Sequence, residues 1–402
     1  MTATSTKSDN ARRPAPHASC WTIRPLLGHI RGSGGPYRAA ASGGTAVTTF
    51  VKGARAVHRW TGAVLSLLVI VVSLSGVVLL WQVPINRLIY PQAATGFDGK
   101  AGSAARVALA AEQAFGADGI AQVTFGDLNF GISEVTLRDQ RTAFIAANGE
   151  LVGVWGPNGR WDDWLVDAHH RLLGGRAGLY VVGFGGLLTL MTIVAGCIAF
   201  WPARGSWRKG VVPRAATPQA LRRSHRNVGI VLSLPIAGII VTGVALSFPQ
   251  TAQRSIGWTY ENAPDYGDTF GDGVDMLEGA AQATWPNVFR RAADVFPGAV
   301  LAAAIWPTGQ SEIVIQLRNS GDWTDAGSGQ VQITAAEGYM DLRIDGRRLP
   351  PGERAWNAVA PVHTGAVRGW VYQALETGVG LGLLYLGVIG LMSFLKTAFP
   401  RR

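Results

Sequence analysis

Four apolar segments interrupt the mixed polar and apolar positions of this chain. They run from about Gly62 to Val83, Leu179 to Trp201, Val228 to Phe248 and Thr377 to Leu395. Each has about 20 residues, and a helix of that length rises far enough to cross the hydrocarbon core of a bilayer. The first segment is too long for the core of a signal peptide and lacks a small-x-small cleavage pattern. The pattern therefore predicts a membrane protein with four transmembrane α-helices, the first of them a retained anchor.

The connection between the first two spans has the pattern of a small α+β module. An alanine-rich helix is predicted over Ala101 to Phe115. Alternating apolar residues then predict four strands that form an antiparallel sheet. These strands are Ile120 to Phe125, Glu134 to Leu137, Thr142 to Ala146 and Leu151 to Trp155, with a turn at Asn148-Gly149.

The connection between the last two spans repeats this order. A helix is predicted near Leu277 to Val295, followed by four strands and two Gly-containing turns. The strands are Val300 to Trp306, Glu312 to Leu317, Gly329 to Ile333 and Tyr339 to Ile344, and the turns are Pro307-Thr308-Gly309 and Ala336-Glu337-Gly338. Each half of the chain is therefore predicted to consist of a span, an α+β module and a second span.

Charge predicts which side of the membrane each connection occupies. Nine Lys and Arg residues precede the first span, seven lie between spans two and three, and three follow the last, against one acidic residue, Asp9. The two long connections hold 25 acidic and 17 basic residues. Because positive charge marks cytoplasmic loops, both termini are expected in the cytoplasm, and both modules are expected to be exported. The net charge of +10 thus reports topology and gives no support to nucleic-acid binding.

Spans and modules divide the chain into nine segments. The tail is rich in Gly, Ser, Ala, Pro and Arg without periodicity, which predicts disorder. In order, the segments are the cytoplasmic tail 1–51, the first span 52–83, module one 84–168, the second span with its preceding histidines 169–201, the basic loop 202–225, the third span 226–248, module two 249–362, the fourth span with its preceding histidine 363–396, and the cytoplasmic end 397–402.

The two spans that run outward begin with the same motif. The stretch from His58 to Trp81 returns 167 residues later, starting at His225, with ten of 24 positions identical. His, Arg and Gly match in register, which apolar composition alone does not produce. The chain is therefore a duplication that repeats a histidine at the membrane edge.

Three further histidines lie at the opposite edge, in Asp167-Ala168-His169-His170-Arg171 and in Pro361-Val362-His363-Thr364-Gly365. Imidazoles that face each other across a helix bundle are the usual axial ligands of haem b. We therefore expect one haem between His58 and His225, and a second between His363 and either His169 or His170. Gly174, one turn after His170, favours His170, whereas a 194-residue offset that also relates Gly196 to Gly390 favours His169. The sequence predicts His170 by a narrow margin.

Small and basic residues beside the histidines fit the same interpretation. Gly62 and Gly229 follow their histidines by one helical turn, where a larger side chain would occupy the space of a porphyrin. Haem propionates require cations nearby. Those available are Arg59 and Arg226 at the inner edge and Arg171, Arg176 and Arg368 at the outer edge.

Other chemistry has weaker support. Cys20 lies in the tail and Cys197 in the second span, so the exported segments contain no thiol for a disulfide or metal site. No cluster has the spacing of a structural zinc site, and nothing near His169 and His170 supports copper. No phosphate loop, dinucleotide fingerprint or Ser-His-Asp spacing is present. Glu376 is the only acidic residue at the edge of a span, where it is expected to be ionised or to relay protons.

A histidine-headed span, a helix followed by strands, and a second span preceded by His-Arg, all repeated, resemble the PepSY-associated transmembrane proteins. The resemblance covers about residues 52 to 398. It implies PepSY-like exported modules and, from inner-membrane members implicated in the reduction of ferric siderophores, a ferric substrate.

These observations favour a haem-b oxidoreductase of the inner membrane. Electrons would enter from a quinol or a cytoplasmic donor and leave towards a periplasmic acceptor, which the resemblance implies is a ferric siderophore. One alternative is a non-enzymatic PepSY-type membrane protein that binds or regulates a periplasmic partner such as a peptidase. A small transporter is a third, although four spans without buried charge offer a poor substrate path.

Overall fold

The computed structural model describes residues 42–200, 211–256, 284–306, 312–324, 327–334, 340–346, 349, 351–367 and 369–399. Residues 1–41, residues 277–283 of the predicted second-module helix, both predicted turns of module two, and Arg368 lie outside this part of the chain. The described residues form ten α-helices: α1 Ser42–Leu79, α2 Gln82–Ile89, α3 Ala101–Phe115, α4 Trp161–Arg171, α5 Gly175–Phe200, α6 Pro218–Ser247, α7 Pro249–Ile256, α8 Trp285–Val295, α9 Pro351–Thr364 and α10 Trp370–Ala398.

Four of these helices are long and apolar enough to cross a membrane. They are Thr48–Leu79 within α1, and α5, α6 and α10. The prediction of a membrane protein with four such helices is confirmed. Helix α6 packs against both α5 and α10. It begins at Pro218, which suits the first turn of a helix, and Thr217 caps it by accepting a hydrogen bond from the backbone nitrogen of Ala220 at 3.3 Å.

The strands form one antiparallel sheet rather than two. They are β1 Ile120–Thr124, β2 Ile132–Leu137, β3 Thr142–Ala146, β4 Leu151–Trp155, β5 Val300–Ile305, β6 Glu312–Arg318, β7 Gly329–Thr334 and β8 Met340–Asp345. Their order is β4-β3-β2-β1-β5-β6-β7-β8. The sheet is continuous because β1 pairs with β5, with Val123 opposite Ala304.

The elements predicted from sequence occur close to their expected positions. Helix α3 and strands β3 and β4 have the predicted bounds, and the other strands differ by one or two residues at an end. Helix α8 ends at Val295 as predicted but begins at Trp285, later than the expected start near Leu277. Helices α3 and α8 pack together and share one hydrophobic core with the strands of both modules. Two separate modules were expected, and this expectation is corrected. The first strand of module one, β1, pairs with the first strand of module two, β5, and the two modules share a single core.

Helices α4 and α5 are separate although their sequences adjoin. Leu172 and Leu173 both have positive φ, at 50° and 58°, a conformation that ends a right-handed helix. A Cβ atom on Gly178 would lie 1.6 Å from the backbone oxygen of Arg171, so only glycine allows α5 to pass the end of α4. The histidine segment before the second span is therefore a helix of its own.

Candidate metal centres: two histidine pairs in the helix bundle

The first pair lies at the end of the bundle that is remote from the sheet, and we call it the far-side pair. His58 of α1 and His225 of α6 have ring centroids 5.9 Å apart. Two imidazoles that bind one metal atom from opposite sides, at about 2 Å each, hold their centroids about 6 Å apart. Sequence reasoning predicted this pairing, and the structure brings the two residues together.

A cavity of about 670 Å³ adjoins the far-side pair and includes both imidazoles in its lining. A volume of this size is within the usual range for cofactor sites. The predicted residues Gly62, Gly229, Arg59 and Arg226 all line it. A Cβ atom on Gly62 would meet its nearest neighbour only at 3.7 Å, so this glycine borders the cavity without supporting a ring.

Different glycines support the imidazoles of the far-side pair. A Cβ atom on Gly196 of α5 would lie 2.8 Å from Cε1 of His58, and one on Gly390 of α10 would lie 3.2 Å from Cε1 of His225. Each histidine therefore lies against a glycine of the next span in its own half. Because these distances leave no room for a methyl group, the ring positions depend on both glycines.

A hydrogen bond determines the tautomer of one far-side imidazole. Nδ1 of His58 lies 2.9 Å from the backbone oxygen of Thr192. A carbonyl oxygen only accepts, so Nδ1 carries the proton and the lone pair of Nε2 is free for a metal. Nδ1 of His225 is buried without a hydrogen-bond partner among the described residues, although the backbone of Leu386 lies near it.

The second pair lies at the sheet end of the bundle, and we call it the sheet-side pair. His169 of α4 and His363 of α9 have ring centroids 6.2 Å apart. A Cβ atom on Gly76 or on Gly243 would lie 2.9 Å from Cε1 of His169 or His363 respectively. The sheet-side rings are therefore held against glycines of α1 and α6 in the same manner as the far-side rings.

Two hydroxyl groups orient the sheet-side rings. Oγ of Ser75 donates to backbone oxygens of its own helix and lies 3.0 Å from Nδ1 of His169. Oγ1 of Thr242 does the same within α6 and lies 3.0 Å from Nδ1 of His363. Since each hydroxyl donates to its helix, it accepts from the imidazole, and each Nε2 is left free.

His170 was predicted as the partner of His363, and the structure places His169 there. Neighbouring residues on a helix point about 100° apart, so only one of the two faces the bundle. His170 is exposed, and its ring lies 5.4 Å from that of His169. The expected support from Gly174 is absent because α4 ends at Arg171, before that residue.

Burial keeps the sheet-side imidazoles neutral. Burial, together with the proximity of His170 and His363, lowers the pKa of His169 to about 3. Burial also lowers the pKa of His363. A neutral imidazole is the form that binds a metal ion, so both members of the pair are ready ligands at neutral pH.

The predicted arginines are arranged differently at the two ends. The guanidinium of Arg59 lies 5.8 Å from the ring centroid of Phe394, and Nε of Arg226 donates to Asn227. Arg171 pairs with Asp167 at 3.3 Å and is largely exposed. Arg368 lies outside the described residues. Cations border the far-side cavity, whereas at the sheet side Arg171 is already paired and Arg176 is exposed.

Sequence reasoning missed several residues of both sites. Arg55 and Arg222 line the far-side cavity and are related by the same 167-residue offset as the histidines. That offset also relates Ser75 to Thr242, and Gly76 to Gly243. The repeat relates these residues in pairs, but only the fold shows that the hydroxyls and the glycines touch histidines of a different helix.

A buried ionic cluster holds α4, and with it His169, against the sheet. Arg160 has a side chain only 4% exposed and donates to Glu134 at 3.1 Å, Asp162 at 3.1 Å and Asp163 at 2.8 Å. Burial raises the pKa of Glu134 and of Asp163, and Arg160 opposes that effect. Asp162 also accepts from Nδ2 of Asn86, which follows the first span. The cluster therefore links the start of α4 to β2 and α2.

Within the described residues, no three or more His, Cys, Asp or Glu side chains cluster as a metal site. The candidate ligands are therefore two histidines at each end of the bundle. Four apolar helices, a joined sheet and these pairs define a multi-pass membrane protein with duplicated halves. The chain belongs to the family described as PepSY-associated TM region, whose profile matches residues 55–397. No curated protein sequence matches the chain.

Proposed function

We propose that the protein is a haem-b oxidoreductase that passes electrons across a bacterial inner membrane. The observation that carries this proposal is the pairing of histidines from opposite halves at both ends of one bundle. His58 and Gly76 are 18 residues apart on α1, so the two pairs lie about 27 Å apart along the helix axis. That separation is comparable with the hydrocarbon thickness of a bilayer.

The residues present fit haem b. His58 and His225 would hold one group and His169 and His363 a second, each through Nε2. When bound, haem supplies a one-electron iron couple. Arg55, Arg59, Arg222 and Arg226 would face the propionates at the far side. The glycines beneath the rings and the Nδ1 acceptors orient the ligands before any cofactor enters.

Charge supports a direction of electron transfer, and family membership supports a class of electron acceptor. The connections that form the sheet are the acidic ones, so we infer that the sheet is periplasmic and that both termini are cytoplasmic. Electrons would then enter at the far-side pair from a cytoplasmic donor or a quinol. The resemblance to ferric-siderophore reductases of this family supports a ferric complex as the acceptor on the sheet side.

The test is the absorption spectrum of the purified full chain, oxidised and then reduced. We expect a Soret band with two components. His58→Ala and His225→Ala should each remove one component, and His169→Ala and His363→Ala the other. The matched control is His170→Ala, which changes the neighbouring, exposed imidazole and should leave both components in place.

A protein that takes up no haem when haem is supplied during expression would contradict the proposal. In that case the alternative of a non-enzymatic protein that binds a periplasmic partner would stand. Loss of the second component in His170→Ala with retention in His169→Ala would contradict only the assignment of the sheet-side ligand.

A further inference from the structure

A buried acid lies at the sheet end of the bundle. Glu376 of α10 is only 4% exposed, and its Oε2 has no hydrogen-bond partner among the described residues. A Cβ atom on Gly365 would lie 3.0 Å from that oxygen and 2.9 Å from Leu80, so the ends of α1 and α9 enclose the carboxyl group. No cationic side chain of the described residues pairs with it.

The hydrogen bonds around Tyr372 show which form of the acid fits. The phenol oxygen lies 2.7 Å from the backbone oxygen of Val362 and 2.9 Å from Oε1 of Glu376. The phenol has one proton, and the carbonyl oxygen can only accept it. Both contacts are therefore satisfied only if Glu376 carries a proton and donates it to Tyr372.

The surroundings agree with a neutral acid. An ionised carboxylate with an unsatisfied oxygen is costly to bury, whereas a carboxylic acid with one unsatisfied carbonyl oxygen costs far less. The structure therefore has the hydrogen-bond pattern of a carboxyl group that holds its proton.

The duplicated scaffold does not require this acid. The 194-residue offset that relates His169 to His363 relates Val182 to Glu376 and Gly178 to Tyr372. The first half therefore folds without either polar side chain. A buried ionisable residue in a membrane helix is costly, so its presence in one half alone indicates a local task.

Glu376 is linked to the supports of both sheet-side ligands. Its partner Tyr372 binds the carbonyl of Val362, the residue before His363. One turn along α10, a Cβ atom on Gly380 would lie 2.6 Å from Val77, which follows the glycine that supports His169. Loss of the proton from Glu376 would turn the phenol hydrogen from Val362 to the carboxylate and so release the backbone beside His363.

We propose that Glu376 is a proton site coupled to the sheet-side histidine pair. It holds a proton while the group held by His169 and His363 is reduced. When that group gives up an electron, its added positive charge favours the carboxylate, and Glu376 releases one proton to the sheet-side solution, which it takes up again when an electron arrives. The electron comes from the quinol or cytoplasmic donor of the proposed function, on which this inference rests. The net charge of the sheet-side site is then unchanged by reduction.

Few side chains near Glu376 other than Glu376 itself can gain or lose a proton. Tyr372 faces it from its own helix, and on α9 His363 follows Val362, whose carbonyl oxygen accepts from Tyr372. The contacts from the end of α1 are Leu80 and, through Thr377, Trp81, neither of which carries charge. A proton taken up here on reduction is therefore assigned to Glu376.

The experiment is a potentiometric titration of the full-length, haem-loaded protein at a series of pH values. For a one-electron couple that binds one proton, each tenfold fall in proton concentration lowers the midpoint potential by about 59 mV. We expect that dependence in the sheet-side component, which His363→Ala identifies. Glu376→Gln should abolish it, and the matched control Glu150→Gln, at an exposed turn of the sheet, should keep it.

A second measurement does not need haem. The infrared spectrum of the haem-free protein should contain the band of a protonated carboxylic acid that Glu376→Gln removes and Glu150→Gln retains. An unchanged band in Glu376→Gln, or an unchanged pH dependence of the potential, would overturn this inference while leaving the proposed function intact. A protein that binds no haem would overturn both.

Discussion

At the residue scale, the position of each imidazole is set by a glycine on a neighbouring helix. Gly196 and Gly390 support the far-side rings, and Gly76 and Gly243 support the sheet-side rings. In an apolar bundle a single methyl group in such a contact shifts the ring by several tenths of an ångström or more. A ligand pair tolerates little displacement, because the two nitrogens must meet one metal atom.

The glycine contacts predict a sharp difference between two positions on α6. Gly243→Ala places a Cβ atom 2.9 Å from Cε1 of His363, whereas a Cβ atom on Gly238 meets nothing within 4 Å. We expect Gly243→Ala to weaken haem retention about 10- to 100-fold, as changes beside metal ligands do. Gly238→Ala should retain haem and raise stability by up to about 1 kcal/mol. Equal haem retention in the two variants, measured by the Soret absorbance per protein, would refute the role of the glycine.

Protonation of the sheet-side histidines predicts sensitivity to acid. Because the pKa of His169 is lowered from 6.5 to about 3 in the folded protein, the unfolded chain binds more protons between these values. Stability of the haem-free protein should therefore fall as the pH falls from about 6.5 towards 3. Thermal unfolding from about pH 7 to about pH 4 should show a shallower decline for His169→Gln than for the wild type. Parallel declines would show that other groups control the acid response.

At the element scale, the break between α4 and α5 decides which histidine faces the bundle. The break lets α4 rotate as a separate element, and the Arg160 cluster fixes that rotation against β2 and α2. The guanidinium also lies 4.2 Å from the ring centroid of Phe144 in β3. The sheet therefore acts on the bundle by holding the helix that presents His169.

Removal of the Arg160 side chain should separate these elements. Arg160→Met leaves the buried Asp162 and the partly exposed Glu134 and Asp163 without their cation. Removal of one partner from a fully buried pair costs about 3–5 kcal/mol, and solvent around Glu134 and Asp163 makes the loss here smaller. We expect a lower unfolding temperature and loss of the sheet-side haem component before the far-side one. The control Arg141→Met removes a half-exposed ion pair with Asp139 and should leave the unfolding temperature nearly unchanged. Similar losses in both variants would argue against a positioning role for Arg160.

At the scale of the whole molecule, neither half contains a complete site. Each histidine pair takes one residue from each half, and the sheet is joined by the pairing of β1 with β5. The bundle is joined in the same way, because Gly186 of α5 packs on Val244 of α6, while Gly380 of α10 packs on Val77 of α1. The duplication therefore produced one unit in which both sites are shared between the halves.

This arrangement predicts the behaviour of a divided chain. If the chain is cut between residues 201 and 210 and both parts are produced together, we expect them to copurify and to bind haem. Either part produced alone should bind none, since it has one histidine of each pair and an unpaired edge at β1 or β5. Haem bound by a single half would show that ligand pairs form within a half or between two copies.

The sequence by itself determined the elements and the chemistry available to them. Length and hydropathy were sufficient for the four apolar helices, because a segment of about 20 apolar residues has few other stable states. Composition was sufficient for α3, and alternation for the strands, which lie within two residues of their expected positions. The 167-residue repeat singled out His58 and His225, since in-register polar matches in apolar helices are rare by chance.

Only the tertiary structure decided which residues meet. The choice of His169 over His170 depended on the rotation of α4. That rotation is set by the positive φ angles of Leu172 and Leu173 and by the Arg160 cluster. The joined sheet depended on an edge pairing between strands about 180 residues apart. The supporting glycines and hydroxyls belong to different helices from the histidines they contact. Periodicity describes which face of an element is apolar, but contacts between elements follow from packing, which no local pattern encodes.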